Sequence, residues 1–220
     1  MMPAGAAAVA CAGETLWLLP ELAVYWPARA TLLVADVHLG KAAAFRAWGQ
    51  PVPAGTTRAT LARLGRALSL TGASRLIVLG DLVHARESAS ALGAPALAEW
   101  RARHAGVACV LVRGNHDRAA GPLSAWPDLA VQTEPWRLGP FALCHEPMQV
   151  EGAYALAGHL HPVRILHGPG RDSARLPCFD FGPGLGLLPA FGDFTGGHPL
   201  PRRAGHAQFV AADGRVLRVP

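Results

Sequence analysis

Residues 30–38 read ATLLVADVH, an apolar run of β-forming residues that ends in an aspartate and a histidine. A short run of this kind is typical of a buried strand with polar groups at its carboxyl end. The same arrangement recurs in residues 75–81, RLIVLGD, and in residues 107–117, VACVLVRGNHD. Three buried strands are therefore predicted, each followed by a loop that carries carboxylate, amide or imidazole groups.

Helical stretches separate these strands. Residues 57–69 carry Leu61, Leu64 and Leu68 at the spacing of one helix face, and residues 95–105 are rich in Ala and Leu. The alternation of strand and helix predicts an α/β fold, layered in the α+β manner, with a parallel-leaning sheet covered by helices. In such a sheet the loops at the carboxyl ends of the strands form the functional site.

The second half of the chain contains shorter β-like runs. Residues 141–144 and 154–157 each lead towards a histidine, and residues 207–211 precede an Asp-Gly turn. Residues 167–203 are rich in Gly, Pro and Arg. We predict that this last region forms ordered loops with a terminal hairpin rather than a separate domain.

The length and composition predict one globular domain. A single core stays efficient up to roughly 250 residues, so residues 1–220 are predicted to form one domain. The four cysteines are scattered without a C-x-x-C pair, which favours reduced core residues in a cytoplasmic protein. The Ala-rich start lacks the basic and long apolar regions of an export signal, and no stretch reaches the ~18 apolar residues of a membrane span. Neither export nor a membrane partner is expected.

The charge balance is basic and almost wholly due to arginine. Lys and Arg together number 20 against 15 for Asp and Glu, and Lys41 is the single lysine. This excess suits a polyanionic partner. A coding bias towards Arg, Ala, Gly and Pro would give the same composition, so charge alone leaves nucleic-acid binding open.

The polar groups at the strand ends are of metal-ligand type. They are, in chain order, Asp36-x-His38, Gly80-Asp81, Gly114-Asn115-His116-Asp117, His145 and Gly158-His159-x-His161. Carboxylate and amide oxygens with imidazole nitrogens suit manganese, iron, zinc or a similar ion, whereas calcium sites use oxygen almost exclusively. Alternate residues of an extended segment face the same side, so each Asp-x-His or His-x-His pair is predicted to bind one metal ion.

The order of these groups resembles the calcineurin-like metallophosphoesterase superfamily, whose pattern runs D-x-H, G-D, G-N-H-[DE], H and G-H-x-H. Every block is present in that order. The resemblance implies a metallophosphoesterase-type β-sandwich flanked by helices, with a dinuclear metal site at the strand carboxyl ends. It also implies that Asp81 bridges two divalent ions. The other implied ligands are Asp36, His38 and His161 for one ion, and Asn115, His145 and His159 for the other.

The same resemblance implies catalytic roles for His116 and Asp117. His116 would face the scissile phosphate, where an imidazolium near neutral pH assists a departing oxygen. Asp117 would orient that ring and hold its charge. Two ions roughly 3.5–4 Å apart lower the pKa of a shared water, which attacks phosphorus in line. Neither a Gly-x-Ser-x-Gly motif nor a Walker phosphate loop offers a competing mechanism.

A narrower resemblance concerns the flanking segments. Residues 39–46 (LGKAAAFR), 80–84 (GDLVH), 176–179 (LPCF) and 188–197 (LPAFGDFTGG) are similar to the ligase-associated DNA damage response endonucleases of the PdeM family. That resemblance implies a bacterial, manganese-dependent phosphodiesterase or endonuclease acting on DNA in repair. It implies DNA ligase and a helicase as pathway partners. Iron, zinc, nickel and magnesium are the alternatives to manganese.

Basic side chains near the ligand loops are candidates for contact with the DNA backbone, which they would hold without reading its sequence. His84 is a further candidate at the rim of the site, with hydrogen-bonding support of the ligands as its alternative role. The candidate substrate-binding residues are Lys41, Arg46, His84, Arg113 and Arg118, and further arginines near these loops are Arg86, Arg164 and Arg171.

Three functions stay open at the level of the sequence. The first is a DNA-directed phosphodiesterase or endonuclease, and the second is a small-molecule or nucleotide phosphoesterase with the same metal site. The metal motifs do not separate these two, whereas the flanking segments and the arginine-rich charge favour DNA. The third is a non-catalytic interaction module, in which ligands have usually been lost; here every ligand and His116 are present.

Overall fold

A computed structural model of the chain describes residues 1–52, 55–84, 95–120, 126–170 and 172–219. Sixteen strands in these ranges form two sheets. In the first sheet, neighbouring strands are antiparallel from β1 to β4 and parallel from β4 to β7. Its strands, in spatial order, are β1 (Ala7–Cys11), β2 (Glu14–Leu19), β3 (Ala23–Trp26), β4 (Thr31–Ala35), β5 (Arg75–Leu79), β6 (Ala108–Val112) and β7 (Ala130–Gln132).

The second sheet is mixed and has the spatial order β14-β11-β12-β13-β10-β9-β8, with the hairpin of β15 and β16 attached to β12. Strands β9, β10 and β13 run parallel to one another. The strands are β8 (Trp136–Leu138), β9 (Phe141–Leu143), β10 (Tyr154–Ala157), β11 (Pro162–His167), β12 (Ser173–Gly182), β13 (Leu185–Leu187), β14 (His198–Pro199), β15 (Ala207–Ala212) and β16 (Arg215–Val219).

Helices cover one face of the first sheet. The long helix α2 buries the leucines that the sequence pattern places on one face, and it ends where Gly72 adopts a left-handed conformation with φ 65°. The described helices are α1 (Lys41–Ala47), α2 (Thr56–Thr71), α3 (Pro95–Arg103) and α4 (Asn115–Ala120), with a 3-10 turn at Pro27–Arg29. Among the described residues, no helix combines the length and apolar character needed to cross a membrane.

The strands at the centre of the first sheet are buried on both faces. In β4, Leu32 and Val34 pack with the helices, whereas Leu33 and Ala35 belong to the core between the two sheets. This alternation follows from the two-residue repeat of a strand. Both faces must be apolar here, and the continuous apolar runs in the sequence therefore mark sheet-centre strands.

The predicted α/β layered fold, a β-sandwich flanked by helices, is confirmed. Strands β5 and β10 have the bounds predicted from the sequence, and α2 extends the predicted helix by one residue at its start and two at its end. The assignment of residues 167–203 to loops is wrong, because this region contains the ten-residue strand β12. The first half of β12 is exposed or half-buried, so it lacks an apolar run. Hydrogen bonding to β11 stabilises it as a strand instead. A single domain over residues 1–220 stays a prediction.

Candidate metal centre

The seven predicted ligands lie in loops at one edge of the two sheets. Strands β4, β5 and β6 are parallel neighbours, and so are β9 and β10, so their carboxyl ends meet. Buried apolar strands thus fix where each ligand loop begins. These loops supply Asp36 and His38 after β4, Asp81 after β5, Asn115 after β6, His145 after β9, and His159 and His161 after β10.

The backbone at the ligands differs from the extended conformation expected from the sequence. Strand β4 ends at Ala35, and Asp36 and His38 have φ values of 53° and 47°. Asp81, His159 and His161 also have positive φ values. Left-handed backbone is costly for residues other than glycine and is found where a site requires it. The extended alternation predicted for the Asp-x-His and His-x-His pairs is therefore wrong. The His-x-His pair is also divided between two places, since His159 lies beside His145 whereas His161 lies beside Asp36 and His38.

Glycines in the same motifs allow the backbone to approach the ligand side chains closely. A Cβ atom added at Gly158 would lie 2.5 Å from Oδ2 of Asp36. At Gly114 it would overlap the carboxylate of Asp81, and at Gly80 it would overlap the ring of His145. These three positions have no room for a side chain, which explains in steric terms why glycine precedes Asp81, Asn115 and His159.

One ligand group consists of Asp36, His38 and His161, whose donor atoms all lie within 4.8 Å of one another. Nε2 of His38 is 3.4 Å from Nε2 of His161, which in turn is 3.4 Å from Oδ1 of Asp36. The side chains of Asp36 and His38 are buried, and that of His161 is half-buried. One carboxylate and two imidazoles thus face a common point.

A second group adjoins the first. Asp36, Asp81 and His145 also bring their donor atoms within 4.8 Å of one another. Nε2 of His145 lies 2.8 Å from Oδ1 of Asn115 and 3.0 Å from Nδ1 of His159. The structure therefore brings all seven predicted ligands together in two adjoining groups.

Asp81 lies between the two groups. Its Oδ2 atom is 3.8 Å from Nε2 of His38 and 3.5 Å from Nε2 of His145. Its Oδ1 atom accepts a hydrogen bond of 3.0 Å from the backbone N–H of His116. One carboxylate oxygen is thus held by the loop after β6, while the other faces both groups of imidazoles.

The proton positions at the imidazoles favour a bound cation. Nδ1 of His161 donates to the carbonyl of Thr195 at 2.8 Å, and Nδ1 of His145 donates to the carbonyl of Leu79 at 3.2 Å. In a neutral ring, Nε2 then carries a lone pair, and these lone pairs face other acceptors. Oδ1 of Asp36 is buried and accepts no hydrogen bond from any described residue. A cation at each group would satisfy these converging acceptors, so the residues fit divalent metal ions.

The electrostatics of the buried ligands agree with this fit. Burial lowers the pKa of His38 far below its usual range, with Lys41 and His161 acting in the same direction, so the ring is neutral as a ligand must be. Burial raises the pKa of Asp81, although His145 and His116 oppose the shift. A positive charge beside Asp81 would stabilise its ionised form.

His116 lies beside the two groups and is held by His84. Nδ1 of His116 is 2.6 Å from the carbonyl oxygen of His84, and the two rings stack with centroids 5.0 Å apart. Nε2 of His116 lies 3.9 Å from Oδ2 of Asp81 and its side chain is 37% exposed, which leaves this nitrogen accessible to a substrate. The geometry thus suits proton transfer at Nε2.

The predicted role of Asp117 is corrected by its hydrogen bonds. Its Oδ1 accepts from the backbone N–H of Val83 at 3.2 Å, and its Oδ2 accepts from that of Gly114 at 3.0 Å. Within the described residues, the partner of the His116 ring nitrogen is the His84 carbonyl rather than Asp117. Asp117 lies in the first turn of α4, and its side chain caps the start of that helix. It therefore holds the loop backbone in place and does not orient the imidazole of His116.

The predicted substrate-binding residues differ in position. Lys41 starts α1 beside the ligands, and burial lowers its pKa although Asp36 and Asp81 oppose the shift. His84 contacts His116 as described, and the Arg46 side chain is exposed and donates to the carbonyl of Val52 at 3.4 Å. Arg113 is exposed next to the Asn115 loop.

Arg118 is engaged with acidic side chains rather than held towards the ligands. Its guanidinium lies 3.5 Å from both Glu134 and Glu146. Glu134 also accepts hydrogen bonds from the backbone N–H groups of His145, at 2.7 Å, and Glu146. Arg118 therefore supports the loop that carries His145. Arg164 donates to the carbonyl of Leu200 at 2.8 Å, and Arg86 and Arg171 lie outside the described residues.

Sequence reasoning missed an aromatic row that leads away from His116. Phe45 on α1 and Trp48, which caps the end of that helix, contact each other with ring centroids 5.7 Å apart, and both contact His84. Trp48 is 58% exposed. The available signal in the sequence was the three-residue spacing of Phe45 and Trp48, which puts two residues of a helical stretch on one face.

Comparisons with known proteins agree with the geometry. A family model described as calcineurin-like phosphoesterase matches residues 30–183. The crystal structure of the Pseudomonas putida nuclease MPE has a TM-score of 0.81 and 45% sequence identity, over 97% of this chain and 100% of that chain. Yfce, a phosphoesterase from E. coli, has a TM-score of 0.42 and 16% identity, over 86% of this chain and 97% of that chain. No curated protein matches the sequence.

The matched region covers more than half of the chain and contains all seven ligands together with His116. Divalent metal ions are implied by this family, and the Asp and His groups described above have the donor atoms to bind them. The chain belongs to the calcineurin-like phosphoesterase family.

Proposed function

We propose that this protein is a dinuclear-metal-dependent phosphodiesterase that cleaves DNA as an endonuclease. The observation that carries the proposal is the position of Asp81, whose Oδ2 atom faces His38 on one side and His145 on the other. A carboxylate oxygen that faces imidazoles of two adjoining ligand groups is the arrangement expected of a two-metal hydrolytic site. The nuclease from Pseudomonas putida, similar over 97% of this chain, supports a nucleic acid as the substrate.

Each ion would have its own set of ligands and share one. We assign Asp36, His38 and His161 to the first ion and Asn115, His145 and His159 to the second, with Asp81 shared. When bound, two such ions neutralise phosphate oxygens and lower the pKa of a water. We propose manganese, which the resemblance of the flanking segments implies. Iron, zinc, nickel and magnesium are the alternatives, because the mixed oxygen and nitrogen donors suit all of these ions.

His116 would supply the proton for the leaving oxygen. Its Nδ1 proton is committed to the His84 carbonyl, so a proton on Nε2 makes the ring an imidazolium. Stacking on His84 fixes the ring plane. Nε2 then donates to the oxygen that departs from phosphorus.

The surroundings of the ligands support an extended substrate. Basic side chains on α1 and the exposed ring of Trp48, which follows that helix, provide charge for phosphates and a face for base stacking. These features favour DNA over a small-molecule ester.

We further propose a setting in bacterial DNA repair, with DNA ligase and a helicase as pathway partners. The resemblance of the flanking segments supports this setting. Four buried cysteines, none in a disulfide, are in keeping with a cytoplasmic location.

Hydrolysis assays test the proposal. Purified protein, with manganese and after removal of metal, is given DNA and a bis-aryl phosphodiester, beside Asp81→Asn. Metal-dependent cleavage of both substrates, lost in the variant, is the expected result. Cleavage of the model ester alone would move the substrate to small molecules, and inactivity with every metal would contradict the enzymatic function.

A further inference from the structure

A second cationic pocket lies outside the metal centre. It has a volume of about 420 Å³ and opens between the segment that precedes β15 and the strand β16. Its lining includes three arginines, a histidine and a buried glutamine, which are Arg202, Arg203, Arg218, His206 and Gln208.

The three arginines place positive charge around one pocket. Within the described part of the chain, no carboxylate forms an ion pair with Arg202, Arg203 or Arg218. Guanidinium groups that line one pocket repel each other, and a bound anion removes that repulsion. Their planar donors match phosphate oxygens in geometry as well as charge.

His206 is fixed towards this pocket by a buried carboxylate. Its Nδ1 donates to Asp180, with distances of 3.0 and 3.1 Å to the two oxygens, and Asp180 is 1% exposed. Gly182 makes room for the ring, because a Cβ there would overlap it. A buried carboxylate that orients an imidazole in this way is typical of a built site rather than of an ordinary surface histidine.

Gln208 adds an unsatisfied polar atom. Its Nε2 donates to the carbonyl of Pro201 at 3.1 Å, which fixes the orientation of the amide and the path of the adjoining segment. The side chain is 4% exposed, yet Oε1 is buried with no hydrogen-bond partner among the described residues. Because Oε1 accepts hydrogen bonds and a phosphodiester has no proton to donate, a water that bridges Oε1 and a phosphate oxygen would satisfy both atoms.

The pocket is connected to the metal centre by a short stretch of chain. The backbone N–H of His198 donates to the carbonyl of His161 at 2.9 Å, and β14 runs beside β11. Arg202 follows four residues later, so its Cα lies within about 14 Å of that of His198. One DNA strand advances ~3.4 Å per nucleotide along the helix axis, so a few nucleotides span this distance.

We propose that this pocket binds a phosphate group. Resting on the proposed function, we assign this phosphate to the DNA strand, a few nucleotides from the phosphodiester that is cut. Arg202, Arg203 and Arg218 contact the phosphate oxygens, while His206 completes the wall. The pocket contributes to affinity and position and not to the chemical step.

The test compares Arg218→Ala and Arg203→Ala with Arg215→Ala. Arg215 and Arg218 lie on the same strand three residues apart, and Arg218 lines the pocket whereas Arg215 does not, so the control removes the same charge outside the pocket. We expect both pocket variants to raise KM for DNA about five- to tenfold with kcat unchanged, and to flatten the salt dependence. The control variant and all rates with the bis-aryl ester should match the unaltered protein.

A second measurement is independent of DNA cleavage. Calorimetric titration of inorganic phosphate into the metal-loaded protein should detect a site that Arg218→Ala loses and Arg215→Ala retains. Loss of this site with unchanged KM for DNA would assign the pocket to free phosphate and overturn the DNA assignment. If the variants do not differ in either measurement, the proposal that this pocket binds phosphate is wrong. If the proposed function is wrong, none of the proteins will cleave DNA. The phosphate titration will still report whether the pocket binds phosphate.

Discussion

The ring of His116 stacks on the ring of His84, with centroids 5.0 Å apart, while its Nδ1 lies 2.6 Å from the His84 carbonyl oxygen. Because the carbonyl belongs to the backbone, it holds the imidazole whichever side chain occupies position 84. The stack depends on the side chain itself. The carbonyl contact determines that Nδ1 of His116 carries a proton, whereas the stack determines the orientation of the ring.

A leaving-group comparison tests the role of His116. His116→Ala should lower kcat for DNA by about 10²- to 10⁴-fold, because the departing alkoxide needs a proton. An aryl leaving group is stable as an anion, so the loss with a bis-aryl ester should be much smaller. His84→Ala, which keeps the carbonyl, should lower kcat only modestly. Equal losses for the two substrates in His116→Ala would argue against proton donation.

A glycine substitution tests the close approach at the ligands. Gly158→Ala places a Cβ 2.5 Å from Oδ2 of Asp36, so the carboxylate must move away from its ligand group. We expect metal content and activity to fall together while the protein still folds. Gly106→Ala is the control, since its Cβ would meet no atom within 4 Å. Full metal content in Gly158→Ala would show that the loops tolerate the shift.

An ion pair far from the site gives a pH-dependent stability. Arg101 on α3 donates to Oδ2 of Asp128 from Nε at 2.9 Å, and this hydrogen bond lowers the pKa of Asp128. The pair therefore contributes stability above the ordinary aspartate pKa of 3.8, and the contribution is lost as pH falls through the lowered value. Asp128→Asn should reduce the free energy of unfolding at pH 7 by at most about 1 kcal/mol, because the pair is exposed.

Urea unfolding at a series of pH values measures this contribution. The difference between Asp128→Asn and the unaltered protein should shrink as the pH is lowered through the acidic range. A difference that stays constant with pH would show that the side chain acts through packing or backbone contacts instead.

Trp48 provides a test of substrate contact at the exposed end of the aromatic row. Its ring is 58% exposed and lies 6.4 Å from that of His84. Stacking of a base on an aromatic ring contributes about 1–3 kcal/mol, so Trp48→Ala should raise KM for DNA several-fold or more. Trp48→Phe should retain most of the affinity, and the bis-aryl ester should be cleaved as before. Unchanged KM for DNA in Trp48→Ala would exclude this contact.

The ligand set could be predicted from the sequence because each ligand follows a buried strand. The apolar runs before Asp36, Asp81 and Asn115 fix three parallel strands, and parallel strands bring their carboxyl ends to one edge. The left-handed backbone at Asp36 could not be predicted, since only the packed loops determine it. Nor could the hydrogen bonds of Asp117 with Val83 and Gly114, because neighbours in sequence suggested His116 as the partner.

The features that were missed depend on pairing between segments rather than on an apolar run. The exposed first half of β12 pairs with the preceding strand β11, and its second half pairs with the later strand β15. The cationic pocket likewise depends on contact between Asp180 and His206, which are 26 residues apart. Local propensity carries no information about such pairs, so the structure was needed to find them.

Diffraction from crystals grown with manganese, recorded at the manganese absorption edge, tests the dinuclear centre most directly. We expect two anomalous peaks about 3.5–4 Å apart, one beside His38 and His161 and one beside Asn115 and His145, with Oδ2 of Asp81 between them. A single peak, or two peaks of which neither contacts Asp81, would contradict the proposed two-metal site.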